Sequence, residues 1–120
     1  MTEQKHEYYA TIPLKGANGY LTRVDFIEKT KTWLANRVSN NETLLKPVIG
    51  LTDTMVYVEG ENLIEDGVVN IGSFCDINLV SLTQEQVNQT VSSYFIFLRT
   101  ACDTEPFIYT VDDNFFRTSL

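Results

Sequence analysis

The sequence predicts an α+β domain, with two helices on one face of an antiparallel sheet, and three observations predict it. Segments 24–39 and 84–101 carry apolar residues at helical spacing behind capping residues. Around them lie short runs rich in β-branched and aromatic residues, bounded by Gly, Asn, Asp and Pro. Strands and helices interleave instead of forming separate blocks, which sets the class.

Residues 6–14 (HEYYATIPL) read as a first strand ended by Pro13, followed by the turn residues Lys15 to Gly19. Asn18-Gly19 can nucleate a hairpin with Tyr20, Thr22, Val24 and Phe26 on one face, but the helical signal over the same stretch is stronger. Thr22 or Asp25 caps it, and Asp25 with Glu28 has capping-box spacing. Val24, Ile27, Leu34 and Val38 form its stripe, and Asn40-Asn41 supplies the stop. Strands are expected at 44–50 and 54–59, with Met55, Tyr57 and Glu59 sharing a face. Residues 60–67 read as a turn closing on Asp66-Gly67, and strands return at 68–71 and 75–82. Thr83 and Gln86 then fit a capping box, with Leu82 and Val87 as its hydrophobic staple. Val87, Val91, Tyr94, Leu98 and Ala101 continue the helix, although residues 91–98 are rich in β-formers and strand is the alternative there. Pro106 breaks the chain before a last strand, 107–111, and Asp112-Asp113-Asn114 turns into a tail.

This order, strand, helix, two to four strands, helix, strand, resembles the split βαββαβ, ferredoxin-like arrangement with extra short strands. Such a fold hosts enzymes, ligand sensors and assembly modules alike, so function must be argued from sites.

The 120 residues suit one domain, 1–120, with a flexible N-terminus (1–6) and a C-terminal tail (112–120). Nine basic and sixteen acidic side chains give a net charge of −7. That balance disfavours nucleic acid and anionic membranes, both of which require excess Lys and Arg. Charge is also uneven: residues 1–46 carry seven basic and five acidic groups, residues 47–120 two and eleven. No apolar run is long enough to span a bilayer, and the polar start is unlike a signal peptide. Cys75 and Cys102 form no CxxC pair and read as reduced thiols in a cytoplasmic protein. High Thr and Asn content with few Lys suggests a virion or phage accessory component.

Nucleophilic, acid–base and metal chemistry all lack residues. The one histidine, His6, sits in the segment expected to fray. One His and two Cys cannot fill a zinc shell. The acids from Asp53 to Asp66 do not follow a calcium-loop pattern and read as a solvated hairpin tip. Asp103, Glu105, Asp112 and Asp113 read as turn residues. No enzyme, cofactor or metal is therefore expected. A candidate anion site is the loop Lys15, Gly16, Asn18 and Gly19 with Arg23, where free backbone N–H groups precede a helix.

Fourteen aromatic residues are many for one thin core. Tyr8, Tyr57, Phe74, Tyr109, Phe115 and Phe116 are the candidate interface. The expected function is a non-enzymatic interaction protein, docking on a protein partner or on itself as a homo-oligomer. The alternatives are a regulatory domain binding an anionic metabolite or nucleotide, and an acidic inhibitor or immunity-type protein that blocks a basic partner.

Overall fold

The computed structural model describes residues 5–16, 19–73 and 76–118. Strands β1 (Tyr8–Pro13), β2 (Lys15–Gly16) and β3 (Gly19–Tyr20) precede helix α1 (Arg23–Ser39). Strands β4 (Pro47–Glu59) and β5 (Asn62–Ser73) lead through a 3-10 turn, Ile77–Leu79, to helix α2 (Gln84–Cys102). Strands β6 (Ile108–Val111) and β7 (Asn114–Arg117) close the chain. The main sheet runs β4-β5-β1-β6-β7, and every pairing in it is antiparallel. Leaving out β7 and the small β2–β3 hairpin, this is the ferredoxin-like order that the element sequence predicts.

Both helices begin on capping boxes. In α2 the Thr83 hydroxyl accepts from the Gln86 backbone N–H at 3.2 Å, and the Gln86 side-chain Oε1 accepts from the Thr83 N–H at 2.9 Å. Residues 91–98 are helix, so cap and periodicity override β propensity. The α1 box lies one turn earlier than Asp25–Glu28: Thr22 is the N-cap, and Asp25 accepts its backbone N–H at 2.7 Å. The buried stripe is Phe26, Thr30 and Trp33, and Val24 and Val38 are exposed, contrary to the stripe expected from the sequence.

The core lies between the helices and one face of the sheet. Tyr8, Ala10 and Ile12 of β1, Val69 and Ile71 of β5, and Tyr109 and Val111 of β6 meet Phe26, Trp33, Val87, Val91, Tyr94, Phe95 and Leu98. Two buried polar groups between the layers are matched by hydrogen bonds, as low-dielectric surroundings favour. Tyr94 and Thr30 share a hydrogen bond of 2.7 Å between the helices. Asp76, 4% exposed, accepts from the Tyr8 hydroxyl at 2.9 Å and from the Lys46 and Asn78 amides at 2.7 and 3.1 Å. Burial and the Asp76 charge raise the Tyr8 phenol far above its ordinary range, so it remains a donor.

Several local expectations are corrected. Residues 47–59 form one strand, interrupted by a bulge between Gly50 and Asp53. The turn between β4 and β5 is confined to Gly60 and Glu61, with Gly60 in the left-handed region at φ 65°, and Asp66-Gly67 is strand. Where a strand was expected over 75–82 there is the 3-10 turn, because Asp76 caps its start; Cys75 lies outside the described residues. The tail forms β7, since Asp112 and Asp113 both take positive φ (49° and 68°) and make a tight hairpin. His6, expected to fray, is buried against Asp112. Cys102 is a free, buried thiol whose pKa burial pushes up to about 11.

Candidate functional site

The helices cover one face of the sheet and leave the other bare. Odd-numbered residues of β1 and even-numbered residues of β5 and β6 point to the bare face, because side chains alternate along a strand. On β4 the bulge matters. Before it Ile49 lies opposite Ile71 of the core face; after it Asp53 lies opposite Val68 of the bare face. The extra residue switches the alternation, so Asp53, Met55, Tyr57 and Glu59 all join the bare face.

Two polar clusters result. In one, the Tyr9 hydroxyl donates to Asn70 Oδ1 at 2.8 Å, the Thr11 hydroxyl lies 2.9 Å from the same oxygen, and Asn70 Nδ2 donates to Asp53 Oδ2 at 2.6 Å. In the other, the Tyr57 hydroxyl donates to Asp66 Oδ2 at 2.6 Å, and Asp66 is only 6% exposed. The hydrogen bond to Asp66, with desolvation and the nearby charges of Asp66, Glu59 and Glu105, pushes the Tyr57 pKa up to about 12. Tyr57 is thus a neutral donor that orients a buried carboxylate.

A groove of about 630 Å³ crosses the same face, lined by Tyr9, Thr11, Met55, Ile108, Phe115 and Arg117 among others. Met55 is the cross-strand partner of Asp66, which joins the groove to the second cluster. At the far side stands Arg117, with no ion pair among the described residues. The face can therefore hold a small molecule with an apolar body, a cationic group toward the carboxylates and an anionic group toward Arg117. No group of three or more His, Cys, Asp or Glu gathers as a metal site among the described residues.

Four of the five candidate anion-site residues are described, and two of them have their charged groups engaged elsewhere. Lys15 pairs with Glu59 at 3.6 Å, and Arg23 Nε donates to the Ile49 carbonyl at 3.3 Å. Gly16 lies opposite Gly19 in the small hairpin, and a Cβ on Gly16 would come within 3.2 Å of the Asp103 carbonyl. Asn18 lies outside the described residues.

Of the candidate interface, Tyr8 and Tyr109 are core, each 2% exposed, and they cannot meet another chain. Phe116 is half-buried, stacked on Tyr109 at 5.5 Å between ring centres. Tyr57 and Phe115 do sit on the bare face, and Phe74 lies outside the described residues. Asp53 and Asp66 read from sequence as part of a solvated hairpin tip, since a turn is expected at 60–67, and Asn70 is not singled out. The signal that could have found them is the alternation Ile64, Asp66, Val68, Asn70 running through that segment.

No family model matches the chain, and no curated protein matches it. Two solved structures do. A phage SAM lyase in complex with S-methyl-5′-thioadenosine matches with a TM-score of 0.66 at 14% identity, covering 98% of this chain and 91% of that one. A phage SAM lyase in the apo state matches with a TM-score of 0.65 at 15% identity, covering 98% and 94%. The likeness is one of fold. It corrects the functional expectation nonetheless, since an enzyme is built on this architecture from end to end. The reading as a non-enzymatic interaction protein, the two binding alternatives and the expectation of no catalysis are set aside. Among the described residues, no helix is long and apolar enough to cross a membrane.

Proposed function

We propose that this chain is an enzyme that cleaves S-adenosylmethionine (SAM), releasing S-methyl-5′-thioadenosine, with the bare sheet face as its site. The observation that carries the reading is the match over 98% of the chain to a SAM lyase. The site chemistry supports it. SAM joins an aromatic purine to an amino acid through a sulfonium cation. An apolar groove can take the purine, and the carboxylates of Asp53 and Asp66 on the same face offer charge complementary to the sulfonium and ammonium groups. A net charge of −7 favours approach of a cation.

The bond to break joins the sulfonium sulfur to Cγ of the aminobutyryl chain. Its electron pair returns to sulfur, which leaves as a neutral thioether and needs no general acid. In the proposed step the substrate's own carboxylate oxygen closes on Cγ to form a lactone, so charge balances with no proton transferred and no water consumed. The protein has to hold a folded conformer of its substrate, which is positioning work. Asp66 takes the cationic amino acid end, and Tyr57 fixes the direction of that carboxylate. Chemistry of this kind evades a search for histidines, metals and nucleophiles, which is why the sequence argued against catalysis.

Incubating the purified protein with SAM and following S-methyl-5′-thioadenosine by chromatography tests the reading. Asp66→Asn is expected to lower the rate at least 100-fold, in line with losing a positioned charged group. A folded wild-type protein that releases none of this product overturns it. Self-association enters as part of the same proposal. Val56, Val58 and Leu63, 63%, 64% and 79% exposed, share the helix-side face of the β4–β5 arm beyond the core. A strict monomer in sedimentation removes that part.

A further inference from the structure

We infer that His6 is a positioning residue: by latching onto Asp112 it holds the β6–β7 hairpin, and with it the Phe115–Arg117 wall of the groove. The link to substrate rests on the SAM-cleaving reading; the latch itself does not.

The latch is built from three parts of the chain. His6 has a side chain only 2% exposed, and its Nδ1 lies 2.7 Å from Asp112 Oδ2. An ionised carboxylate only accepts, so Nδ1 carries the proton. The Glu7 amide donates to Asp112 Oδ1 at 2.7 Å, and Gln84 Nε2 from the start of α2 donates to Oδ2 at 2.9 Å. The Asp112 amide in turn donates to the Glu7 carbonyl at 2.8 Å. Burial alone would raise the Asp112 pKa, but these donors outweigh it and hold the carboxyl below its usual range. A crevice of about 340 Å³ opens beside the pair, between Lys5, Glu7, Gln84 and Asp113.

The hairpin needs such a hold. Asp112 and Asp113 both carry positive φ, a conformation that non-glycine residues adopt at a cost. Strand β7 is a four-residue edge strand, paired among the described residues with β6 alone. Its far end is tied by Thr118, whose N–H donates to the Phe107 carbonyl at 3.0 Å and whose hydroxyl accepts from the Phe107 N–H at 2.9 Å. At the turn end it is fastened by the Asp112 carboxylate together with the Asp112 amide bond to Glu7. Among the described residues His6 Nε2 is buried with no partner, and the hydrogen bond of the ring goes to this turn.

The decisive measurement is amide hydrogen exchange at Asn114 and Phe116, compared across His6→Ala, His6→Asn and wild type. The alternation set by the Thr118–Phe107 bonds puts these two amides in bonded pairs with β6. Exchange is expected to quicken at least tenfold in His6→Ala, while β4–β5 amides keep their wild-type rates. In His6→Asn, whose amide nitrogen can replace Nδ1, it should return close to wild type. Unchanged exchange, or equal acceleration in β4–β5, overturns the latch. Should His6→Ala fail to fold, His6→Gln, which puts its amide at the wrong end of the ring position, answers the same question. On SAM, His6→Ala should raise KM at least fivefold with kcat within twofold, and His6→Asn should restore it. A loosened β7 with unchanged KM overturns the positioning role. A wild-type protein inactive on SAM discards the lyase reading, and exchange then decides the latch alone.

Discussion

The two faces of the sheet are made by the same strands and differ in what each asks of its residues. The helix-covered face buries Tyr8, Phe95 and Tyr109 in aromatic contact, with Phe95 and Tyr109 ring centres 4.9 Å apart and Tyr8 and Phe95 6.2 Å apart. The bare face carries Tyr9, Asn70, Asp53, Tyr57 and Asp66, which are tied together by hydrogen bonds in two clusters. Stability should reside in the first and activity in the second. Removing a ring from a packed interior leaves a cavity, whereas removing a hydroxyl at the surface lets water replace it.

Four substitutions test that division, in descending order of their effect on stability. Phe95→Ala, at a fully buried position, is expected to cost about 3–5 kcal/mol by chemical denaturation. A cost below about 1 kcal/mol would mean that the core is not centred there. Asp76→Ala strands the Tyr8 hydroxyl and two backbone amides, and should cost about 3 kcal/mol. Thr83→Ala removes the α2 cap and should cost about 1 kcal/mol, visible as a lower melting temperature. Tyr57→Phe should leave the melting curve in place and lower SAM turnover about tenfold. If it instead lowers stability and spares turnover, the division between the faces is wrong.

Acid titration sharpens the comparison at the sheet's edge. Asp112 has a folded-state pKa below that of the unfolded chain, so the stability it contributes is present above the ordinary carboxylate range. That contribution is lost as pH falls through the depressed value. Asp112→Asn should therefore flatten the stability slope below about pH 4. An unchanged slope would show that the carboxylate is not held down.

Much of the fold was legible because its signals are local. The Thr83–Gln86 box and the stripe Val87, Val91, Tyr94, Leu98 define α2 within one segment. Pro13 ends β1, and Asp112-Asp113 turns the chain between β6 and β7. The site was far less legible. Asp66 reads as a turn residue beside Gly67, and only its pairing opposite Met55 places it on a strand. Tyr57 reads as one member of an alternating run whose direction is set by the bulge at Gly50/Asp53. His6 reads as a frayed end because its partner lies 106 positions away.

The amino-acid order by itself determined where the chain turns, where helices start and which class of sheet results, since caps, periodicity and turn residues act over a few positions. Tertiary structure alone decided which face of β4 meets solvent, which aromatic rings are hidden and which carboxylates find donors. One extra residue in a strand reverses every later side chain, and burial depends on what the rest of the chain brings alongside.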